Sequence, residues 1–250
     1  MPHLTVHMTF PELQAFVAAA AAARTLGDLE ALMADAAARL GFDHYALMHH
    51  VPLRDAKRPI LRLTNYPQEW QERFISRAYV SDDPIFLVCQ SRALSFVWSD
   101  VPQILTLTER QAAILAEATA HGILNGVSVP IHIPGEISGS CTLAATRSDA
   151  FARETLPIAH YVGCFAFEAG RRLLQARSNV VVALTQRQLD CLSLIARGKS
   201  DWETAQILGI SETTVHQHVE AAKARYGVST RIQLVVRALL DNTLSVADVA

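Results

Sequence analysis

Apolar positions recur at helical spacing over Pro11–Ala23 and Asp28–Leu40, and Gly41 stops the second run. His44–Val51 and Ile60–Leu63 read as strands, and Pro67–Tyr79 and Pro84–Ser91 as helices. A further helix over Glu109–His121 opens on a Thr108-x-x-Gln111 capping box and closes at Gly122. A hairpin follows, with strands Gly126–Ile133 and Ser138–Thr146 joined by a turn at Pro134-Gly135-Glu136. Arg153–Arg177 reads as a long closing helix. Helices flanking a mostly antiparallel sheet predict an α+β domain.

From Leu184 the pattern becomes purely helical. Thr185-x-x-Gln188, Ser200-x-x-Glu203 and Thr230-x-x-Gln233 each read as a capping box, and Ser211 caps one more helix. Within the segment Ser200–Val215, Ala205 is small enough for two helices to cross closely, and Gly209 supplies the left-handed residue of a sharp turn. Val215 is expected to pack the second helix back on Ile207 and Leu208. These spacings predict an all-α, four-helix helix-turn-helix domain that binds DNA. Its recognition helix runs from Glu212 or Thr213 to about Tyr226. Thr213, Thr214 and Lys223 can reach phosphates, while His216, Gln217 and Glu220 share the face opposite Val215 and Val219. Gln reads adenine through two hydrogen bonds, Glu accepts from cytosine N4, and His216 can meet phosphate or guanine. A solvated surface is the competing reading of each position.

Composition bounds the rest. A chain of 250 residues with 50% hydrophobic content holds two ordinary domains. From Arg171 onward there are ten Lys and Arg against seven Asp and Glu, a balance of +3, while the preceding residues carry −5. So mild a basic excess suits phosphate contact but binds DNA poorly as a monomer, and dimerisation is the natural remedy. Cys89, Cys141, Cys164 and Cys191 show no CxxC spacing, as expected of reduced thiols in a cytoplasmic protein. No apolar run reaches membrane-spanning length, and the alanine-rich Val17–Ala23 lacks a basic leader, so it reads as helix. An enzyme using Asp83, His132 or Cys141 finds no nucleophile–base–orienter set and no metal spacing. Neither catalytic nor metal-ligating residues are expected, and no cofactor.

Two stretches leave a choice open. Ser140, Thr142 and Ala144 share one face of the second hairpin strand. A face of small residues is either covered by large neighbours or leaves room for a ligand, and periodicity alone favours the filled core. Tyr66, Trp70 and Phe74 stand one helical turn apart, so they can line one wall. Buried Tyr and Trp need partners for O–H and N–H, as a buried Asp83 needs donors. Equally, Asp83-Pro84 is a standard helix start, and aromatics at helical spacing commonly form core.

At these residues the chain resembles the LuxR-type quorum-sensing regulators over nearly its whole length. The N-terminal part carries Tyr66-Pro67-x-x-Trp70, Asp83-Pro84, Trp98 and Gly126-x-x-x-Pro130. The C-terminal part carries Leu184-Thr185-Gln186-Arg187, Gly198-Lys199-Ser200 and Ile210 through His218. It departs from the family at Gln188, where Glu is usual, at Phe74, where Tyr is common, and at Arg225-Tyr226, which replaces Lys-Leu. The resemblance implies an α-β-α sandwich over residues 1–172 that buries an acyl-homoserine lactone and dimerises, a linker over 173–183, and a DNA-binding domain over 184–250. It implies that Trp70 donates to the lactone carbonyl, Asp83 accepts the amide N–H, and Tyr66 donates to the amide carbonyl with Thr142 nearby. Phe74, Ile85 and Trp98 would bound the ring or tail. The implied partners are a palindromic promoter element, the lactone as effector, a second copy of the chain, and RNA polymerase, with no membrane. A regulator of the same type answering a different small molecule, a ligand-released repressor, and an inhibitory heterodimer partner are the alternatives.

Overall fold

The computed structural model describes residues 8–51, 60–133, 136–147, 153–175, 183–241, 243–245 and 247. The chain divides into two compact units, Met1–His132 with Ile137–Asn179, and Ile133–Glu136 with Val180–Ala250.

The first unit is a three-layer sandwich. Helices α1 (Phe10–Ala22) and α2 (Leu26–Arg39) each begin at a capping box, Thr9 with Glu12 and Thr25 with Asp28. Strands β1 (His44–His49) and β2 (Arg62–Thr64) lead to α3 (Gln68–Ser76) and α4 (Pro84–Ser91). A two-residue β3 (Phe96–Val97), a single-turn α5 (Val101–Ile104) and α6 (Glu109–Ala120) follow, then β4 (Asn125–Ile131), β5 (Gly139–Ala145) and α7 (Leu156–Gln175). The five strands pair antiparallel in the order β2-β1-β5-β4-β3.

Strand alternation sorts the sheet into two unlike faces. Leu47, Val127, Val129, Cys141 and Leu143 are fully buried on one. This face packs against α7, where a Cβ at Gly163 would lie 2.9 Å from that of Cys141; α1 and α2 pack on α7 in turn. On the other face the register sets Ala46 and Ser128 beside Thr142. Above it lie α3, α4 and α6.

Several elements depart from the expected pattern. Helix α3 stops at Ser76, not Tyr79, because Ala78 takes the left-handed conformation (φ 53°), which breaks the helical ladder. The long closing helix begins as a 3₁₀ turn at Arg153–Thr155; its expected end at Arg177 lies outside the described residues, as do Pro134 and Gly135 of the hairpin turn. Strand β3 and helix α5 are additions that are too short to leave a periodic signal.

The second unit consists of α8 (Gln186–Ala196), α9 (Asp201–Leu208), α10 (Glu212–Tyr226) and α11 (Arg231–Leu240). All three expected capping boxes form, and Gly209 (φ 64°) turns α9 into α10. Val215 is fully buried with Leu208 and Ile210 against it, but Ile207 is 56% exposed. The expected Val215–Ile207 contact is therefore wrong. Two residues advance a helix by about 200°, so Ile207 points away from the side on which Ala205 is buried. The departures at Gln188 and Tyr226 are both accommodated. Gln188 accepts from Thr185 N at 3.0 Å to close its box, and the Tyr226 hydroxyl donates to Thr243 Oγ1 at 2.8 Å.

Gly126 sits where a side chain would collide with the strand beside it. A Cβ there would come 2.6 Å from the Leu143 carbonyl oxygen and 3.0 Å from the Trp98 ring. Gly126→Ala should therefore destabilise the first unit by about 1–3 kcal/mol, read as a lowered melting temperature. Gly27→Ala, whose Cβ meets only Thr25 Oγ1 at 3.7 Å, should leave it unchanged or raised; equal effects would show that Gly126 is not held by packing.

Candidate functional site

Over the small-residue face lies a cavity of about 280 Å³. The filled core that periodicity favours is not what the sheet builds. Tyr66, Trp70, Phe74, Asp83, Ile85, Trp98 and Thr142, all singled out in the sequence, line this one space. Of the three small residues expected to share the β5 face, only Thr142 faces the cavity. Ser140 is engaged with His50 Nε2 at 2.8 Å, and Ala144 packs with Trp70 and Ile114.

The aromatic wall is a set of edge contacts. Trp70 meets Phe74 with ring centroids 5.8 Å apart, and Phe74 meets Tyr79 and Phe86 at 6.0 and 5.7 Å. Such T-shaped pairs hold ring orientation as well as volume. Helix α3 is braced to α6 from outside: Arg73 Nε and the Tyr79 hydroxyl both donate to Glu117 Oε2, at 2.8 and 2.9 Å. Tyr66 precedes α3 and lies edge-on to His44.

The polar groups are few and specific. Asp83 is buried as the N-cap of α4, its Oδ1 accepting from Ile85 N at 2.8 Å. Burial pushes its carboxyl up to about 6, against the opposing pull of the Ile85 and Phe86 amides. Desolvation also pushes the Tyr66 hydroxyl well above its ordinary range. Trp98 Nε1 donates to Ser128 Oγ at 2.9 Å, and Ser128 Oγ lies 3.0 Å from Thr142 Oγ1. The Tyr66 hydroxyl and the Trp70 indole N–H have no hydrogen-bond partner among the described residues. Three groups with free donors or acceptors thus meet in a largely apolar space, whose lining also includes Thr142, Thr64, Gln71, Arg62 and Arg77.

Sequence reasoning misses several cavity residues. Ala46, Met48, Phe86, Ile114 and Ile123 line it, and Ser128 stands beneath Trp98. Ser128 is accessible in principle, since β4 alternates Gly126, Ser128, Pro130 just as β5 alternates its small residues. The helical residues are not, because apolar periodicity marks a buried face without saying whether a neighbour fills it.

Asp83, His132 and Cys141 do separate work. His132 Nε2 lies 3.0 and 2.9 Å from the carbonyls of Cys89 and Arg92, and burial pushes the Cys141 thiol up, away from reactive thiolate. No helix among the described residues is long and apolar enough to cross a membrane.

In the second unit, Thr213, His216, Gln217 and Glu220 are exposed along α10. Thr214 is half-buried, its Oγ1 2.7 Å from Ser211 Oγ. His216 Nδ1 stands 3.6 Å from Asp201 Oδ2, which also accepts from Arg231 at 2.6 Å. Lys223 donates to both oxygens of Glu220, at 2.8 and 3.0 Å, and its side chain is only 15% exposed. A phosphate must therefore compete with Glu220 for it. At the end of α10, Arg225 donates to the carbonyl of Ala183.

Comparison with known proteins joins the two units. Residues 25–170 match the autoinducer binding domain, and residues 182–238 match the bacterial regulatory proteins of the luxR family. The chain is 25% identical over 228 residues to the transcriptional activator protein LuxR of Aliivibrio fischeri, covering 89% of this chain and 90% of that one. The crystal structure of Escherichia coli SdiA superposes with a TM-score of 0.76 at 20% identity, covering 93% and 98% of the two chains; a structure of SdiA in complex with octanoyl-rac-glycerol gives 0.73, also at 20%, covering 93% and 96%. CepR2 of Burkholderia cenocepacia, an N-acylhomoserine lactone dependent LuxR family transcription factor, gives 0.51 at 23%, covering 67% and 96%. An autoinducer-binding unit and a helix-turn-helix unit in one chain place this protein in the LuxR family of quorum-sensing transcriptional regulators, a non-enzymatic family.

Proposed function

We propose that the autoinducer is an acyl-homoserine lactone, held in the cavity of the first unit, and that the liganded protein binds a palindromic promoter element as a homodimer. The observation that carries this is the polar set of the cavity. Tyr66 and Trp70 offer unpaired donors, and Asp83 offers a carboxylate. An acyl-homoserine lactone is their complement, with two carbonyl oxygens and one amide N–H on an apolar tail. In this reading Trp70 donates to the lactone carbonyl, Tyr66 to the amide carbonyl with Thr142 beside it, and Asp83 accepts the amide N–H. Phe74, Ile85 and Trp98 bound the ring or tail. The same chemistry leaves one rival, a ligand with ester and hydroxyl groups of the kind SdiA holds in its octanoyl-rac-glycerol complex.

Coupling to DNA then follows from linkage. A ligand that binds only the folded first unit stabilises it by RT ln(1 + [L]/Kd), about 2.7 kcal/mol at a hundredfold excess over Kd. Residues 1–172 serve as the sensing and dimerising part, 173–183 as the connection, and 184–250 as the DNA-binding part. Exposed apolar residues at helical spacing support self-association: Tyr161 and Phe165 on α7, and Ile232, Val236 and Leu240 on α11. On α10, Thr213, Thr214 and Lys223 would meet phosphates, and His216, Gln217 and Glu220 base edges or backbone. The setting is the cytoplasm, with RNA polymerase as the downstream partner.

Asp83 gives the ligand reading a pH signature. Its carboxyl, raised to about 6 from an ordinary 3.8, favours the ligand-free fold as pH drops through that window, because the folded state holds the proton more tightly than the unfolded one. Ligand binding runs the other way, since an amide N–H prefers the carboxylate. Affinity for the best lactone of a chain-length panel should be flat above pH 7 and fall about tenfold by pH 5. Asp83→Asn, which keeps the helix cap, should bind more weakly with no such slope; an unchanged slope would remove Asp83 from the ligand.

Trp70→Phe removes the indole N–H and little volume, so Kd should rise roughly three- to tenfold with the melting temperature of the free protein nearly unchanged. On the DNA side, Gln217→Ala should relax preference at one base pair of each half-site. Lys223→Ala should weaken all sequences alike and lower the salt slope by about one. Equal loss of specificity in both variants, measured by titration across salt, would misplace the recognition face.

A further inference from the structure

Three helices of the second unit converge on one carboxylate. Asp201 is the first residue of α9, and its side chain is only 11% exposed. Its Oδ2 accepts from Arg231, the first residue of α11, at 2.6 Å. The same oxygen faces His216 Nδ1 of α10 at 3.6 Å. The other oxygen, Oδ1, is buried and has no hydrogen-bond partner among the described residues. Arg231 therefore does not saturate the carboxylate, which keeps acceptor capacity on a side closed to water. Charged groups face His216 from all three helices: Asp201 on α9, Arg231 on α11, and Glu212 and Glu220 one turn to either side on α10. Glu220 is itself engaged by Lys223. A ring nitrogen that faces a carboxylate carries its proton, because a lone pair there would meet negative charge. His216 thus turns Nδ1–H inward and leaves Nε2 as the atom available to a partner outside the protein.

We propose that Asp201 is a positioning residue for base recognition, which holds the His216 ring so that, as an imidazolium, it donates from Nε2 to guanine. Phosphates outside and Asp201 inside both attract a cationic ring, and an Nε2–H matches the guanine acceptors N7 and O6 in the major groove. This rests on the placement of the reading face on α10 and sharpens it. His216 becomes a base contact that works only with its second proton in place, so that specific binding takes up a proton. Asp201 touches no DNA itself. Arg231 is the competitor of His216, since it draws the same oxygen toward α11.

The test is selection by full-length protein, with and without the best lactone of the chain-length panel, from duplexes with a randomised core, at pH 6 and at pH 8 in equal salt. Kd is then measured for the selected duplex and for its guanine-to-adenine variant. At pH 6 wild-type protein should prefer guanine at one position of each half-site by roughly tenfold, and at pH 8 by roughly threefold or less. Asp201→Asn keeps the side-chain shape and an acceptor for Arg231, and should lose the preference at pH 6. Arg231→Gln releases Asp201 to His216 and should carry the preference up to pH 8. His216→Gln should remove the pH dependence altogether. A general loss of fold stability weakens both duplexes together and leaves their ratio untouched, so the ratio separates positioning from a structural role. The opposite sign of Arg231→Gln carries the test where Asp201→Asn fails to fold. A wild-type ratio in Asp201→Asn, or a wild-type preference that ignores pH, overturns the proposal and leaves the reading face standing. A gain at pH 6 shared by every sequence puts His216 on phosphate and overturns the base contact. No sequence selection by the wild type under any of these conditions overturns the reading face as well.

Discussion

A sheet covered on both sides by helices must bury both faces, and here the two faces are made from residues of different reach. On the α7 side, Val129, Cys141 and their neighbours extend to the helix backbone, and Gly163 is needed to admit them. On the other side Ala46, Ser128 and Thr142 stop short. The helices above cannot simply settle onto them, because they are propped from outside. Glu117 receives Arg73 and Tyr79, and Arg110 ties α6 to Asp82 just before α4 at 2.6 Å. The gap is thus a geometric result of strand alternation and external bracing, and the cavity chemistry depends on its staying open.

Into that gap the chain brings a carboxyl group that does two jobs. Asp83 begins α4, and it is buried because α4 must pack Ile85, Val88 and Cys89 against the sheet. A carboxylate used only as a cap would ordinarily sit at the surface, where its charge is solvated. Buried, it is strained electrostatically until another donor reaches it, and the free energy released by that donor is available to whatever molecule supplies it. Stability of the unit and affinity for the ligand are therefore two readings of one desolvation.

What is legible in the sequence is mostly local. Capping boxes at Thr108, Thr185, Ser200 and Thr230 are readable because both partners lie within one turn, and each forms as written. The turn at Gly209 is readable for the same reason. Ile207 misleads because α9 is only eight residues long, too short for its apolar stripe to fix a phase. Ala78 in a left-handed conformation leaves no trace in composition, so the end of α3 is not visible beforehand. The seven proposed cavity residues rest on a resemblance, and the structure brings them together. Strand parity alone leads to Ser128, but only after the pairing of β4 with β5 sets it opposite Thr142.

The bond from Arg225 to the carbonyl of Ala183 has a mechanical meaning. It fastens the last turn of α10 to the start of the second unit, two residues ahead of the Thr185 cap of α8. One hydrogen bond thus makes the position of Ala183 and that of the last turn of α10 depend on each other.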